Sequence, residues 1–416
     1  MRHALLSLGL PTLLLCGCGT DATQPGKRDP YEGYRTVALD FCSTSVPTFF
    51  AYRNDGQSWT TLSPDANGSF VFTAAPKVAI AFVRGTHAET FYTSAQNLQD
   101  VSGLTCQEVQ GEKTLSGSVS NLGAGAYAVV TAGSSRAAGP GLFTLTSVPD
   151  GDLDLVAINR TDIGSPTDAI IRRNVLLPDG SSAPVFDFSS PEAVPLASNL
   201  LTVSGLLPRD FNNLFIAIRT ANGTYQDWDH GIAYTGDTRT FRSIPSALLR
   251  DGDLHTLSFT ARGDNFTSFR AEILSYHQPS DKSIVLGPKL NAATFTTLAT
   301  TPYLMVRGTL PSQPEYGSAV RFLFDQATSA GGEHYWSVTG TARYFGGSAP
   351  STWELEIPDL SAVAGFPASA GFETSQSTQA NGEAWSSLLG LWIGRPPRDG
   401  EVVSYAGSPG TTIPAQ

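Results

Sequence analysis

The chain has little charge. Asp, Glu, Lys and Arg make up 15% of its 416 residues, whereas soluble domains average about 25%. Its 41 glycines and 27 prolines disfavour long helices, so the composition argues against a helical bundle or a coiled coil. Its 22 Phe, 13 Tyr and 6 Trp supply enough apolar surface for large cores, which argues against wholesale disorder. The length suggests three or four domains.

Signatures of common enzymes are also missing. The sequence contains no G-x-S-x-G, H-E-x-x-H, P-loop or C-x-x-C motif, and its six histidines are scattered rather than spaced as metal ligands. The net charge of −11 is spread thinly and forms no basic patch, so nucleic acid is not an expected partner. We therefore expect no cofactor and no metal, and the balance favours a non-catalytic protein.

The N-terminal residues have the pattern of a targeting signal. A positive start, Met1-Arg2-His3, precedes an apolar stretch over 4–15 that is too short to span a bilayer but suits a signal peptide. The following residues, Leu15-Cys16-Gly17-Cys18, resemble the lipobox of bacterial lipoproteins. The resemblance implies that 1–17 is a lipoprotein signal peptide and that Cys18 becomes the lipidated first residue.

The residues after Cys18 refine this expectation. Gly19 stands where an Asp would retain a lipoprotein at the inner membrane in enteric bacteria, so the resemblance implies the outer membrane of the cell envelope, on either face. Residues 18–33 are polar and contain Gly and Pro, which predicts a short flexible tether. The lipid anchor makes the membrane a partner, and an envelope polymer or protein is a further candidate partner.

Two cysteines remain beyond the signal peptide, Cys42 and Cys106. An exported chain with one even pair is expected to oxidise it, so we predict a disulfide. A catalytic cysteine is the less favoured alternative, because neither residue has a histidine nearby in sequence.

Hydrophobic residues after position 34 mostly alternate, and turn residues recur about every ten positions, which predicts an all-β fold. A degenerate repeat places Gly117, Gly205 and Gly308 at corresponding positions in LSGSVSNL, TVSGLLP and MVRGTLP. The spacing suits β-sandwiches of about seven strands. We predict tandem Ig-like or prealbumin-like sandwiches over 34–112, 113–200, 201–302 and 303–410.

The second unit carries a family resemblance. Its block VPDGDLDLVAINR, over 148–160, and the Gly-containing strand before it are similar to the turn and strands of carboxypeptidase-regulatory-like (prealbumin-like) domains. The resemblance covers 113–200 and implies a sandwich with an accessory, non-catalytic role. It transfers no functional residues.

Two acidic clusters are candidates for function. Asp227, Trp228, Asp229 and His230, with Asp237 beyond, combine acids, an aromatic ring and an imidazole in a predicted loop, which is a candidate ligand or metal site. In the second cluster, over 150–154, we expect Asp150-Gly151-Asp152 to form a turn and Asp154 to face solvent. A calcium site is the alternative there, because three acids alternate.

Tryptophans offer a third candidate, since sugars stack on aromatic faces. We expect Trp353 to lie in a core, Trp59 to pack inward and Trp336 to be the exposed ring. Together these features favour a lipid-anchored envelope protein that acts as a binding or spacer module. The alternative is a glycan- or polymer-handling accessory protein or hydrolase, with its site near Asp227–Asp237 or in the insertion over 327–350.

Overall fold

The computed structural model describes residues 33–41, 46–100, 113–161, 164–176, 178–183, 185–232, 236–263, 267–390 and 397–416. In these ranges the chain is all-β, as predicted, with one short helix and a few 3₁₀ turns. No helix in these ranges is long and apolar enough to span a bilayer. The predicted lipobox with Cys18, most of the tether, Cys42 and Cys106 lie outside the described residues.

We group the strands, by the repeat in the sequence, into four consecutive sets that we call units. Unit 1 contains β1 (Arg35–Asp40), β2 (Phe49–Asn54), β3 (Thr60–Thr61), β4 (Ser69–Ala74), β5 (Val78–Arg84), β6 (His87–Thr93) and the helix α1 (Ala95–Asp100). Unit 2 contains β7 (Lys113–Ser120), β8 (Tyr127–Ala132), β9 (Ser135–Gly139), β10 (Leu142–Val148), β11 (Leu153–Arg160), β12 (Pro166–Val175), β13 (Phe186–Asp187) and β14 (Val194–Pro195).

The remaining strands form the other two units. Unit 3 contains β15 (Ala197–Ser204), β16 (Phe211–Arg219), β17 (Tyr225–Ile232), β18 (Thr238–Ser243), β19 (Leu254–Arg262), β20 (Phe269–Tyr276) and β21 (Lys282–Val285). Unit 4 contains β22 (Thr294–Ala299), β23 (Met305–Pro311), β24 (Ala319–Ala327), β25 (Glu333–Thr341), β26 (Thr352–Glu356), β27 (Thr378–Trp385), β28 (Val402–Gly407) and β29 (Thr411–Ile413).

The larger sheets of all four units share one strand order. In units 2 and 3 the smaller sheets run β10-β7-β13 and β18-β15-β21, and the larger sheets contain β9-β8-β11-β12 and β17-β16-β19-β20. Unit 4 repeats the larger order as β25-β24-β27-β28, with a smaller sheet β26-β23-β22, and unit 1 repeats it as β3-β2-β5-β6 beside the pair β1-β4. The degenerate sequence repeat therefore corresponds to a structural one.

At each of the three repeat glycines, a neighbouring group occupies the place that a Cβ atom would take. A Cβ atom at Gly117 would lie 2.3 Å from the Phe143 ring, and one at Gly308 would lie 2.6 Å from the Phe322 ring. Gly205 has a φ of +80° and passes so close to the Leu286 carbonyl that a Cβ atom would lie 2.5 Å from its oxygen. These close approaches explain why glycine recurs at this point of the repeat.

Strand pairing places two unit junctions slightly earlier than the sequence boundaries. β15 begins at Ala197, ahead of the predicted boundary at 200, and pairs with β18 and β21. β22 ends before 302 and yet pairs with β23 of unit 4. The segment that links units 3 and 4 therefore contributes a strand to unit 4.

Three of the larger sheets join into one. β6 of unit 1 pairs in parallel with β25 of unit 4, and β28 of unit 4 pairs antiparallel with β20 of unit 3. The result is a thirteen-stranded sheet whose continuous path runs through twelve strands from β17 to β3. Unit 2 keeps a separate five-stranded sheet, β14-β12-β11-β8-β9.

The cores show that several units also pack face to face. In β11, Leu155 and Ala157 face the core of unit 2, whereas Val156 and Ile158 lie in the core of unit 3. Strands buried on both faces read as continuous apolar runs, as the sequence LVAI does here. The sheet of unit 1 is likewise covered by β1-β4 on one face and by unit 4 on the other.

Candidate functional site

The predicted ligand loop is largely a strand. Asp227, Trp228, Asp229 and His230 lie on β17, paired with β16, and only Asp237 lies in a bend, where it is exposed. The prediction of a loop over the first four residues is therefore wrong. A bulge in the β16–β17 pairing at Trp228 interrupts the alternation by which a strand is recognised in sequence.

Trp228 is fully buried in the core shared by units 2 and 3, and its Nε1 donates to the Arg242 carbonyl at 3.0 Å. Asp227 forms an ion pair with Arg136 of unit 2 at 2.6 Å, and Arg160 of unit 2 donates to its carbonyl at 3.3 Å. Both residues thus stabilise the contact between the units. The side chains of Asp229 and His230 lie outside the described set.

A buried charged cluster lies elsewhere, between units 2 and 3. The Arg173 guanidinium donates to Asp154 of its own unit at 2.9 Å, and to both carboxylate oxygens of Asp253 of unit 3 at 2.6 and 3.1 Å. The side chains of Arg173, Asp154 and Asp253 are 7%, 1% and 0% exposed. We call these three residues the interunit triad.

Hydrogen bonds complete the triad. The backbone N–H of Asn174 and the Asn222 side chain donate to Asp154, each at 3.1 Å. Burial opposes ionisation of Asp154, but the hydrogen bonds from Asn174 and Arg173 outweigh it and hold the pKa of this carboxyl below its usual value. Burial likewise opposes the charge of Arg173, and its two acidic partners raise its pKa above the usual value.

The prediction that Asp154 faces solvent is wrong. The sequence DGDL occurs twice: Asp154 directly follows the copy at 150–153, and Asp253 lies within the copy at 251–254. The repetition was therefore visible in sequence, but the pairing with Arg173 needed the fold. The acids of the 150–154 cluster do not converge, because Asp150 forms an ion pair with Lys113 at 2.9 Å.

A buried histidine lies close to the triad. His255 is fully buried between Tyr276, whose ring stacks on it at 4.7 Å, and Trp228, whose ring meets it edge-on at 6.2 Å. Its Nε2 accepts from the Ile244 N–H at 3.0 Å, so the proton of a neutral ring is assigned to Nδ1, which faces the His277 carbonyl at 3.1 Å. Burial lowers the pKa of His255 to about 4.

Tryptophan positions differ in part from expectation. Trp353 lies in the core, as predicted, and Trp59 packs partly buried against the same core with Arg53 over its ring at 4.9 Å. Trp336 is fully buried, and its Nε1 donates to Thr90 Oγ1 at 3.1 Å. The prediction that Trp336 is the exposed ring is therefore wrong, since it faces the large core formed by units 1 and 4.

Across the described ranges, no three His, Cys, Asp or Glu side chains are grouped so that they could hold a metal ion. Comparison with protein-family models and with curated proteins found no match. In the interunit triad, Arg173 pairs with both carboxylates, and N–H groups of Asn174, Asn222, Ala221 and Arg250 also donate to them, so these polar groups are engaged in holding two units together.

Proposed function

We propose that this chain is a lipid-anchored bacterial envelope protein whose four sandwich units form a rigid, non-catalytic scaffold for display or spacing. The lipobox-like sequence ending at Cys18 and the polar tether that follows support the anchor. The observation that carries the scaffold is the continuous sheet through units 1, 4 and 3. Hydrogen-bonded strands cannot hinge freely, so joined sheets move as one body.

The dimensions suit a spacer. Neighbouring strands lie about 4.8 Å apart, so the continuous path from β3 to β17 extends for about 53 Å. The described chain begins in unit 1, just before β1, and β3 of unit 1 is one end of this path. A lipid attached through the tether would therefore hold unit 1 nearest the membrane and place units 2 and 3 away from it.

The use of polar groups also supports a scaffold. Asp227 and Asp253 are engaged by arginines across the contact between units 2 and 3, and Asp154 is engaged by Arg173 of its own unit. Acids committed to buried ion pairs are costly to withdraw for catalysis, because each would leave an unpaired charge.

The test is membrane fractionation with intact mass measurement, comparing the wild type with Cys18→Ala in a bacterial host. We expect the wild type in the membrane fraction with a lipid-modified Cys18, and the variant in the soluble fraction. Cys16→Ala is the matched control and should remain lipidated. Identical soluble behaviour of all three proteins would contradict the anchor and make a secreted binding protein or enzyme the better proposal.

A further inference from the structure

Both ring nitrogens of His255 are bonded to backbone groups inside the core of unit 3. The side chain is fully buried, its Nε2 accepts from the Ile244 N–H at 3.0 Å, and its Nδ1 donates to the His277 carbonyl at 3.1 Å. This arrangement suits a neutral ring, which has one donor and one acceptor. A protonated ring has two donors, so its Nε2–H would point at the Ile244 N–H and leave that buried donor unsatisfied.

The groups around the ring of His255 do not favour a positive charge on it. Tyr276 of β20 stacks on the ring, and Trp228 of β17 meets it edge-on. Lys282 of β21 lies with its Nζ 4.2 Å from the centre of the Tyr276 ring, and both Lys282 and His277 oppose a positive charge on His255. In the described part of the chain, no carboxylate forms an ion pair or a hydrogen bond with this ring.

The bond from Ile244 to His255 fixes one end of a turn over residues 244–250, which we call the 244–250 turn. Its middle is a 3₁₀ helix, Ser246–Leu248, without a side-chain cap. Leu248 and Leu249 pack against the core of unit 3, and the Ser246 hydroxyl donates to Gln278 at 2.8 Å at the surface. The turn is therefore held by apolar packing, by this exposed bond and by bonds near its two ends.

The 244–250 turn also contacts the interunit triad. The Leu248 carbonyl accepts from Arg173 of unit 2 at 2.6 Å, and the Arg250 N–H donates to Asp253 at 2.9 Å. Movement of the turn would remove one acceptor from Arg173 and one donor from Asp253, which are both buried. The hydrogen bond between Ile244 and His255 therefore supports the contact between units 2 and 3.

The second histidine of this region, His277, is bonded differently. Its Nδ1 lies 2.8 Å from the Asp253 carbonyl, and its backbone N–H donates to Asp399 at 2.8 Å. Since a carbonyl only accepts, Nδ1 is the donor in this contact, and it stays a donor when the ring is protonated. Of the two histidines, only His255 replaces an acceptor by a donor on protonation.

We propose that His255 is a pH-dependent switch: its neutral ring holds the 244–250 turn in place, and protonation releases the turn and loosens the contact of unit 2 with unit 3. Units 1, 4 and 3 share a continuous sheet, whereas unit 2 keeps a separate one and depends on side-chain contacts. The release is therefore local to this contact. At neutral pH the turn is held, so the proposed scaffold stays rigid.

The size of the effect follows from the proton affinity of the ring. Burial lowers the pKa of His255 from 6.5 to about 4, whereas a released ring regains the higher value. Because the released form binds the proton more tightly, its population relative to the closed form should rise roughly twentyfold from pH 7 to pH 5. The pKa of Asp154 lies below its usual value, so this carboxylate stays ionised over the same range.

Hydrogen exchange of the full-length protein in detergent, corrected for the intrinsic pH dependence of amide exchange, measures the opening. The reporters are the Ile244 amide and the Tyr225 amide, which donates to the Gly133 carbonyl of unit 2 at 3.0 Å. In the wild type, their protection should fall roughly twentyfold from pH 7 to pH 5, while that of β24 in unit 4 stays constant.

Two variants test which histidine responds. His255→Gln keeps an acceptor for the Ile244 N–H but takes up no proton, so its protection should not change between pH 7 and pH 5. His277→Gln is the matched control and should respond as the wild type does. An equal loss of protection in His255→Gln, an equal loss in β24, or constant protection of the wild type would overturn the proposal.

A second measurement applies if His255→Gln does not fold. NMR of the histidine ring nitrogens in the wild type should show a neutral His255 ring at pH 5 in molecules whose Ile244 amide is protected. A protonated ring beside a protected Ile244 amide would overturn the switch. The lipid anchor takes no part in these readouts, so this proposal and the proposed function can each fail separately.

Discussion

Units 2 and 3 have the same strand order, but each meets its neighbours differently. Unit 2 packs face to face on unit 3, with Val156 and Ile158 in the core of unit 3 and the triad of Arg173, Asp154 and Asp253 at the contact. Unit 3 meets unit 4 edge to edge, through backbone pairing of β20 with β28. The first junction depends on the identity of side chains, whereas the second depends mainly on backbone hydrogen bonds. Single substitutions should therefore damage the first more.

Arg173→Ala should have the largest effect. It leaves two buried carboxylates without their cation, and breaking a buried ion pair in this way costs about 3–5 kcal/mol of unfolding free energy. Denaturant unfolding measures the loss. Arg307→Ala is the control, because the Arg307–Glu356 pair is about half exposed and exposed pairs contribute about 0–1 kcal/mol. Equal losses in both variants would show that the triad does not hold the junction.

Gly407→Ala tests the edge-to-edge junction. A Cβ atom at Gly407 on β28 would lie 2.4 Å from the Phe269 ring on β20, and overpacking of this kind costs about 1–3 kcal/mol. Gly141→Ala is the control, since nothing lies within 4 Å of its Cβ position. Thermal unfolding measures both variants. If Gly407→Ala were as stable as Gly141→Ala, β20 and β28 would not be packed as described.

Two buried groups of unit 3 should affect the pH dependence of folding stability in opposite directions. His255 has a pKa lowered to about 4 by burial, so between pH 6.5 and 4 the unfolded chain binds more protons, and stability should fall as pH falls. Glu272 faces Ser404 across the β20–β28 junction, and burial raises its pKa from 4.5 to about 6. Between these values the folded chain binds more protons, so this group should stabilise the fold as pH falls.

The two contributions oppose each other between about pH 4.5 and 6. Glu272→Gln removes the contribution that stabilises the fold as pH falls. The variant should therefore lose stability more steeply than the wild type as pH falls through this window. Unfolding in denaturant at several pH values measures the slopes. Parallel profiles for the two proteins would mean that Glu272 does not titrate with a raised pKa.

Arg136→Ala should have the smallest effect. Arg136 pairs with Asp227 across the contact between units 2 and 3, but its side chain is 40% exposed. The expected loss is therefore at most about 1 kcal/mol, although it lies at the same contact as the triad. A loss comparable to that of Arg173→Ala would show that position in the contact, rather than burial of charge, decides the cost.

The all-β fold and its repeat could be predicted from sequence because alternation and recurring glycines are local signals. Gly117 and Gly308 mark close approaches to aromatic rings in units 2 and 4, and Gly205 marks a close approach to a backbone carbonyl in unit 3. The strand containing Trp228 was not recognised because its bulge breaks the alternation. Trp336 follows a glycine-rich turn that is typical of exposed segments, and it is buried by side chains distant in sequence, among them Thr90, Tyr303 and Phe372.

The pairing between strands of different units could not be predicted from the sequence either. β6 meets β25 although more than 200 residues separate them, and β28 meets β20 through backbone groups that every sequence supplies. The triad combines residues from two units, so each carboxylate alone resembles an ordinary turn acid. Local patterns identify strands, whereas pairing between distant strands depends on the packing of whole sheets.

Hydrogen exchange of β28 is the most direct test of the continuous sheet on which the scaffold depends. Mass spectrometry can follow the amides of 402–407 beside those of β24 and β19 in the folded, full-length protein. If units 3 and 4 share one sheet, the β28 amides that bond to β20 should exchange as slowly as those of the central strands. Fast exchange of β28, with β24 and β19 still protected, would contradict the account and show that the units are separate bodies.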